Sequence, residues 1–257
     1  MHRVDVVLRA VARQARRALV ATWALCIGAL AAAKIVSLFE PTGLLAGNLA
    51  GVAALLFIAL PERKIHERGE RWSAHGFPWW GARDGRTWRA WARGLGFALA
   101  VCAVVFPLFF AVFWGYGQVL PRLPRGLASI IAPYSVPTTP HLRLPPHFAL
   151  LALVQLLVVA LPEELFYRGW MQTAWARTAP ARGVRVLGAR LGAGFLATQA
   201  LFALGHLVVL QPWRLATFFP GLLFGWLRER TGDVAASVLV HALSNLFIAT
   251  LEASFYG

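Results

Sequence analysis

Seven apolar stretches, separated by short polar connections, order this chain. They cover approximately residues 18–38, 43–60, 94–115, 148–170, 192–211, 213–228 and 233–254. A hydrocarbon core about 30 Å thick is crossed by about 20 apolar residues in helical conformation. Inside lipid every backbone polar group must be satisfied within its own segment, which a helix achieves. The pattern therefore predicts an all-α fold, a polytopic transmembrane helical bundle of about seven spans. The sixth stretch is short and the fourth runs on past a polar pair, so both are expected to be tilted or shielded by neighbours.

The polar connections set an orientation. Arg9, Arg13, Arg16 and Arg17 precede the first stretch, and Arg63, Lys64, Arg68, Arg71, Arg83, Arg86, Arg89 and Arg93 follow the second. Arg177, Arg182, Arg185 and Arg190 follow the fourth, and Arg228 and Arg230 the sixth. The positive-inside bias puts these segments, and with them the N-terminus, on the cytoplasmic face. The first basic segment and apolar stretch resemble a cleavable signal, but the long basic lead and the later spans predict a retained anchor. Trp79, Trp80, Trp88 and Trp91 lie among arginines, as interfacial anchoring predicts. The connection at 116–147 holds Pro121, Pro124, Pro133, Pro137, Pro140, Pro145 and Pro146, which predicts an irregular external loop or a re-entrant piece able to cap a cavity. Glycines at helical spacing, among them Gly221 and Gly225, predict close helix approach. Residues 1–147 read as an N-terminal three-span region, with a basic cytoplasmic loop and the proline-rich loop. Residues 148–257 read as the helical core that carries the chemistry.

Composition narrows the class. Of 257 residues 58% are hydrophobic and 14% charged, against about 25% charged in soluble domains. The formal charge of +14 would suggest nucleic acid in a soluble protein. Here the basic residues flank spans, so topology and anionic lipid headgroups account for them and no nucleic-acid partner is expected. Cys26 and Cys102 lie in apolar runs and predict neither a disulfide framework nor a metal knuckle.

An ionisable side chain inside a span costs about 2.5–3.5 kcal/mol on insertion scales, so its default reading is functional. Glu163 and Glu164 lie in the fourth span. Adjacent helical residues point about 100° apart, so the two carboxylates cannot share one role. Arg168, four residues beyond Glu164, shares its face and can hold it in a salt bridge. Glu163 is left to face a cavity, and Pro162 removes a backbone hydrogen bond beside it. Phe202 and His206 are one turn apart in the fifth span, as are His241 and Asn245 in the seventh. Taken singly, each pattern is open to a structural reading as packing, an interhelical hydrogen bond or an ion-pair cluster. Two donors stacked on one face can also bind an oxyanion. Together, at comparable depth, two carboxylates, an arginine, two imidazoles and an amide read as machinery for hydrolysis.

The order Glu-Glu-x-x-x-Arg, Phe-x-x-x-His, His-x-x-x-Asn resembles the signature of the CAAX-processing and bacteriocin-processing (CPBP) intramembrane glutamic proteases, over roughly residues 148–250. The resemblance implies an all-helical membrane protein with a cavity reached from the membrane or the cytosol. Its substrate would be a membrane-associated protein or peptide. Glu163 would be the general base and His206 its partner in activating water. His241 and Asn245 would form the oxyanion hole, and Glu164 and Arg168 would organise the first carboxylate, with no metal or other cofactor. The first three spans match no motif. Two other readings stand beside this one, and a third, a transporter, fits polar groups at mid-membrane but lacks a pair of matching interrupted halves. Two histidines and a carboxylate could hold zinc in a metal-dependent membrane hydrolase, although the chain lacks His-Glu-x-x-His. A non-catalytic chaperone or immunity factor could keep the same architecture. The alanine- and arginine-rich composition points to a multi-pass protein of a bacterial inner membrane. One expectation within the family is a sorting protease, resembling the myxosortases, that cuts the membrane tail of surface proteins. Oligomeric state has no signature in the sequence.

Overall fold

The computed structural model describes residues 2–77, 86–131, 141–178 and 183–256. Eight helices order it. The first three are α1 (His2–Phe39), α2 (Leu44–His66) and α3 (Arg86–Val119). A short α4 (Arg125–Ile131) leads to α5 (Phe148–Thr178), α6 (Ala193–Gly205), α7 (Phe218–Thr231) and α8 (Ala235–Tyr256). Five of them, α1, α2, α3, α5 and α8, are long and apolar enough to cross a membrane. The protein is a multi-pass helical membrane bundle.

Helices stand at all seven predicted positions, but the fifth and sixth are shorter than the apolar runs that announced them. After Gly205 the fifth tightens into a 3-10 turn over His206–Val209 and stops at Leu210, whose φ is +58°. Pro212 follows and cannot continue a helix through its missing N–H. The sixth, α7, has 14 residues, and Arg228, Glu229 and Arg230 close its apolar stretch. One element was not expected: an antiparallel hairpin of β1 (Gly183–Val186) and β2 (Ala189–Gly192) between α5 and α6. Its turn residues Leu187 and Gly188 have φ of +47° and +86°, the double left-handed geometry of the tightest hairpin turns.

Helix α5 lies at the centre. Its middle packs against α2, its end against α1 and α6, and its first half against α8, which also packs on α3 and α7. One core cluster joins Leu19 and Cys26 of α1 and Phe57 of α2 to Phe166, Tyr167, Trp170 and Met171 of α5 and Phe202 of α6. The first two helices are thus part of the wall that supports the polar turn of α5. Cys26 and Cys102 are buried free thiols.

Two connections are tied down. Between α2 and α3, Glu70 accepts hydrogen bonds from Arg177 Nη1 at 2.9 and 2.7 Å and from His75 Nε2 at 2.7 Å, which fastens the connection to the end of α5. Arg177 holds the Glu70 carboxyl below its ordinary range, and burial pushes the His75 imidazole down. Gly76 follows with φ +76°, where a Cβ would lie 2.6 Å from the Arg228 guanidinium carbon, and its carbonyl accepts from Val234 N at 2.9 Å. At the opposite end, Ser254 O accepts from His141 N at 3.0 Å, and Ser254 Oγ accepts from Arg143 N at 3.1 Å. The end of the proline-rich connection is thereby fixed to the end of α8. Pro133, Pro137, Pro140, Trp79 and Trp80 lie outside the described residues.

Candidate active site

The glutamate pair sits where α5 is least regular. Gln155–Ala160 and Leu165–Met171 are π-helical, and between them stands a single α-helical turn, Leu161–Glu164. Pro162 explains part of this. It has no N–H to donate, and its ring crowds the carbonyl one turn back, which the wider π turn relieves. The irregular turn sets the two carboxylates in different surroundings. Glu164 is fully buried, whereas the Glu163 side chain keeps 17% of its surface exposed.

Arg168 is buried against Glu164, as the i,i+4 spacing predicts, with Nη1 2.8 Å from Glu164 Oε1. Its Nη2 donates to Gln199 Oε1 at 2.8 Å and to the carbonyl of Gly221 at 3.2 Å. Its guanidinium carbon lies 4.2 Å from the ring centroid of Phe202. A buried cation is tolerable only when paired and hydrogen-bonded in this way. Phe202 therefore supports the arginine as well as packing α6 on α5.

His241 reaches the same carboxylate from α8. Its Nδ1 is 2.9 Å from Glu164 Oε1, and its Nε2 is 3.9 Å from Glu163 Oε2. The ring stacks on Phe224 at 4.7 Å and meets Phe202 edge-on at 6.1 Å. A carboxylate that already accepts from an arginine can only accept again, so the network assigns the imidazole proton to Nδ1. Nε2 then points toward Glu163. Glu163 Oε2 is shielded from solvent and has no hydrogen-bond partner among the described residues.

His206 and Asn245 stand further out. His206 closes α6, half-buried, and its Nδ1 donates to the Phe202 carbonyl at 2.9 Å, leaving Nε2 as an acceptor. Among the described residues no hydrogen bond joins it to either glutamate; the Phe202 ring lies 4.7 Å from its ring and 6.1 Å from that of His241. Asn245, one turn beyond His241, donates from Nδ2 to Gln155 Oε1 at 2.8 Å. The structure thus brings Glu163, Glu164, Arg168 and His241 together and leaves His206 and Asn245 as flanking groups. His241 contacts the two carboxylates, while Asn245 is paired separately with Gln155.

Three amides escaped the sequence reading: Gln155, Gln172 and Gln199. All lie in helices that carry the motifs. Gln172 is four residues beyond Arg168 and Gln199 three before Phe202, so their signal was an uncharged polar residue at helical spacing from a marked one. Among the described residues no group of three or more His, Cys, Asp or Glu side chains is arranged to hold a metal ion. In the buried cluster the cationic partner of Glu164 is Arg168 itself.

Residues 145–247 match the family model described as Type II CAAX prenyl endopeptidase Rce1-like. The matched segment contains all seven motif residues and the three amides. No curated protein and no solved structure matches the chain.

Proposed function

We propose, from the match of residues 145–247 to the family model described as Type II CAAX prenyl endopeptidase Rce1-like, that this protein is a metal-independent glutamic endopeptidase that hydrolyses a peptide bond inside the membrane. One observation carries the mechanism. Glu163 has a buried, unshared carboxylate oxygen 3.9 Å from an imidazole nitrogen, and the other face of that imidazole is locked by Glu164 and Arg168. That separation is too long for a direct hydrogen bond and fits two groups acting on a common third atom.

Glu163 takes a proton from water, and the water oxygen attacks the scissile carbonyl. The carbonyl electrons move onto its oxygen, where a donor is needed. Asn245 supplies one through the N–H that Gln155 does not use. His241 supplies another from Nε2 once that nitrogen has taken the water proton on from Glu163, with Glu164 stabilising the imidazolium. The intermediate then collapses, the C–N bond breaks, and the same proton goes from His241 to the leaving amine. His206 Nε2 is an acceptor able to orient the water from the outer side. Glu164 and Arg168 hold the geometry and exchange no proton.

The substrate we propose is a membrane-associated protein or peptide delivered to a bacterial inner membrane. A tailed surface protein of the kind cut by myxosortase-like enzymes suits that setting. Purified protein in lipid nanodiscs, incubated with tailed substrates and read by mass spectrometry, tests the assignment. Glu163→Gln should abolish cleavage while the variant stays inserted and folded, and chelators should leave wild-type cleavage intact. Wild-type turnover by Glu163→Gln sinks the base assignment, and chelator-sensitive turnover sinks the metal-free scheme.

A further inference from the structure

Behind Arg168 runs a row of buried groups that the motifs do not contain. Gln199 and Gln172 are 0% and 3% exposed. Gln199 Oε1 accepts from Arg168 Nη2 at 2.8 Å, and Gln199 Nε2 donates to Gln172 Oε1 at 3.2 Å and to the Phe195 carbonyl at 3.1 Å. Gln172 Nε2 donates in turn to the Gly225 carbonyl at 3.1 Å and to Glu229 Oε1 at 2.8 Å. The row therefore joins α5, α6 and α7 and ends on a half-buried carboxylate at the far end of α7.

Its ends give it one sense. A guanidinium only donates, so the carboxamide next to it must present oxygen. A carboxylate only accepts, so the amide beside Glu229 must present nitrogen. Reversing either amide would set donor against donor or oxygen against oxygen, at a full desolvation cost in a buried site. Helix α7 is kept bare to admit the row. A Cβ at Gly225 would collide with Gln199 Nε2 and stand 2.8 Å from Phe195, and one at Gly221 would stand 3.3 Å from Arg168 Nη2. The two glycines serve this network as well as helix approach.

We infer that Gln199, backed by Gln172 and Glu229, is a positioning residue of the proposed peptidase: it fixes which nitrogen of Arg168 meets Glu164 and thereby which nitrogen of His241 carries the proton. With Nη2 held by Gln199 and Gly221, Nη1 alone faces Glu164 Oε1, and that oxygen receives Nδ1 of His241. Loosening Arg168 frees the carboxylate to turn, and His241 then shares its proton between both nitrogens. The inference rests on the peptidase reading for its catalytic consequence, but the tautomer it predicts can be measured without turnover.

The test uses the full chain in nanodiscs with 15N-labelled histidine, His241 being assigned from the resonance lost in His241→Gln. Wild type should show His241 protonated at Nδ1. Gln199→Leu should move it toward a mixture of tautomers and lower kcat about 10- to 100-fold, the range outer hydrogen-bond partners carry at metal-bound histidines, with KM little changed. Gln172→Leu, one step further away, should do the same more weakly and serves if Gln199→Leu does not fold. An unmoved His241 signature in the folded variant overturns the inference whatever its kcat, and an unchanged kcat with a moved signature overturns the catalytic role. Absence of Glu163-dependent cleavage in wild type would instead strike the peptidase reading, while the resonance still judges the row.

Discussion

The two sides of α5 are held by opposite kinds of force. Toward α1 and α2 the contact is apolar: Phe57 meets Phe166 at 4.9 Å and Tyr167 at 5.6 Å, over a cluster that includes Leu19, Cys26 and Met171. Toward α6, α7 and α8 it is a set of directed hydrogen bonds among Glu164, Arg168, Gln199, Gln172 and His241. In lipid, packing of the first kind is gained by shape and is tolerant of similar shapes. The second kind depends on each group finding its particular partners, because a buried unpaired charge or amide has nothing else to bind. One helix thus carries a forgiving face and an exacting face.

The sharpest way to break that contrast is at the ion pair. Arg168→Met leaves Glu164 buried without its cation, and breaking such a pair typically costs about 3–5 kcal/mol. Unfolding in detergent should show that loss together with loss of cleavage. Arg168→Met combined with Glu164→Met should recover part of the stability and none of the activity. Gly225→Ala comes next. The added methyl enters the space of Gln199, and overpacking of this kind costs about 1–3 kcal/mol; the same unfolding assay reads it, with reduced turnover. On the forgiving face Phe57→Met should cost less than about 1.5 kcal/mol and leave turnover near wild type. If Phe57→Met proves as damaging as Gly225→Ala, the two faces do not differ in the way described.

The smallest effect lies outside the membrane. Burial lowers the folded-state pKa of His75 below its ordinary 6.5, so as pH falls through that value the unfolded chain takes up a proton that the folded chain refuses. Stability should therefore decline on acidification below 6.5. Glu70, whose pKa is depressed from 4.5 mainly by Arg177, contributes fully above 4.5 and loses its contribution only as pH falls through its lowered folded value. Unfolding midpoints at pH 7.5 and 5.5 should differ in wild type, and His75→Gln should narrow the difference.

The sequence made the bundle legible because lipid admits so few backbone solutions: each apolar run had to become a helix. It made Glu164–Arg168 legible because both residues lie on one helix, where spacing fixes direction. His241 against Glu164, Asn245 against Gln155, and Gln199 against Arg168 were not legible. Each depends on how two separate helices are rotated about their axes, and periodicity leaves that angle free. His241 and Asn245 share a helix face, and α5 supplies a hydrogen-bond partner to each. The hairpin at 183–192 was hidden for another reason. Its turn places Leu187 at positive φ, where Asn or Asp would have announced it.

The widened turns of α5 also bear on the spacing along that helix. Gln155 begins the first of them, eight residues ahead of Glu163, and each residue of helix turns its predecessors by about 100°. Were the same residues to wind as ordinary α-helix, Gln155 would turn by about 100° relative to Glu163 and away from Asn245. The width of this turn is thus part of the site's geometry, and its loss without loss of a residue, invisible to any motif, would dismantle one side of the site.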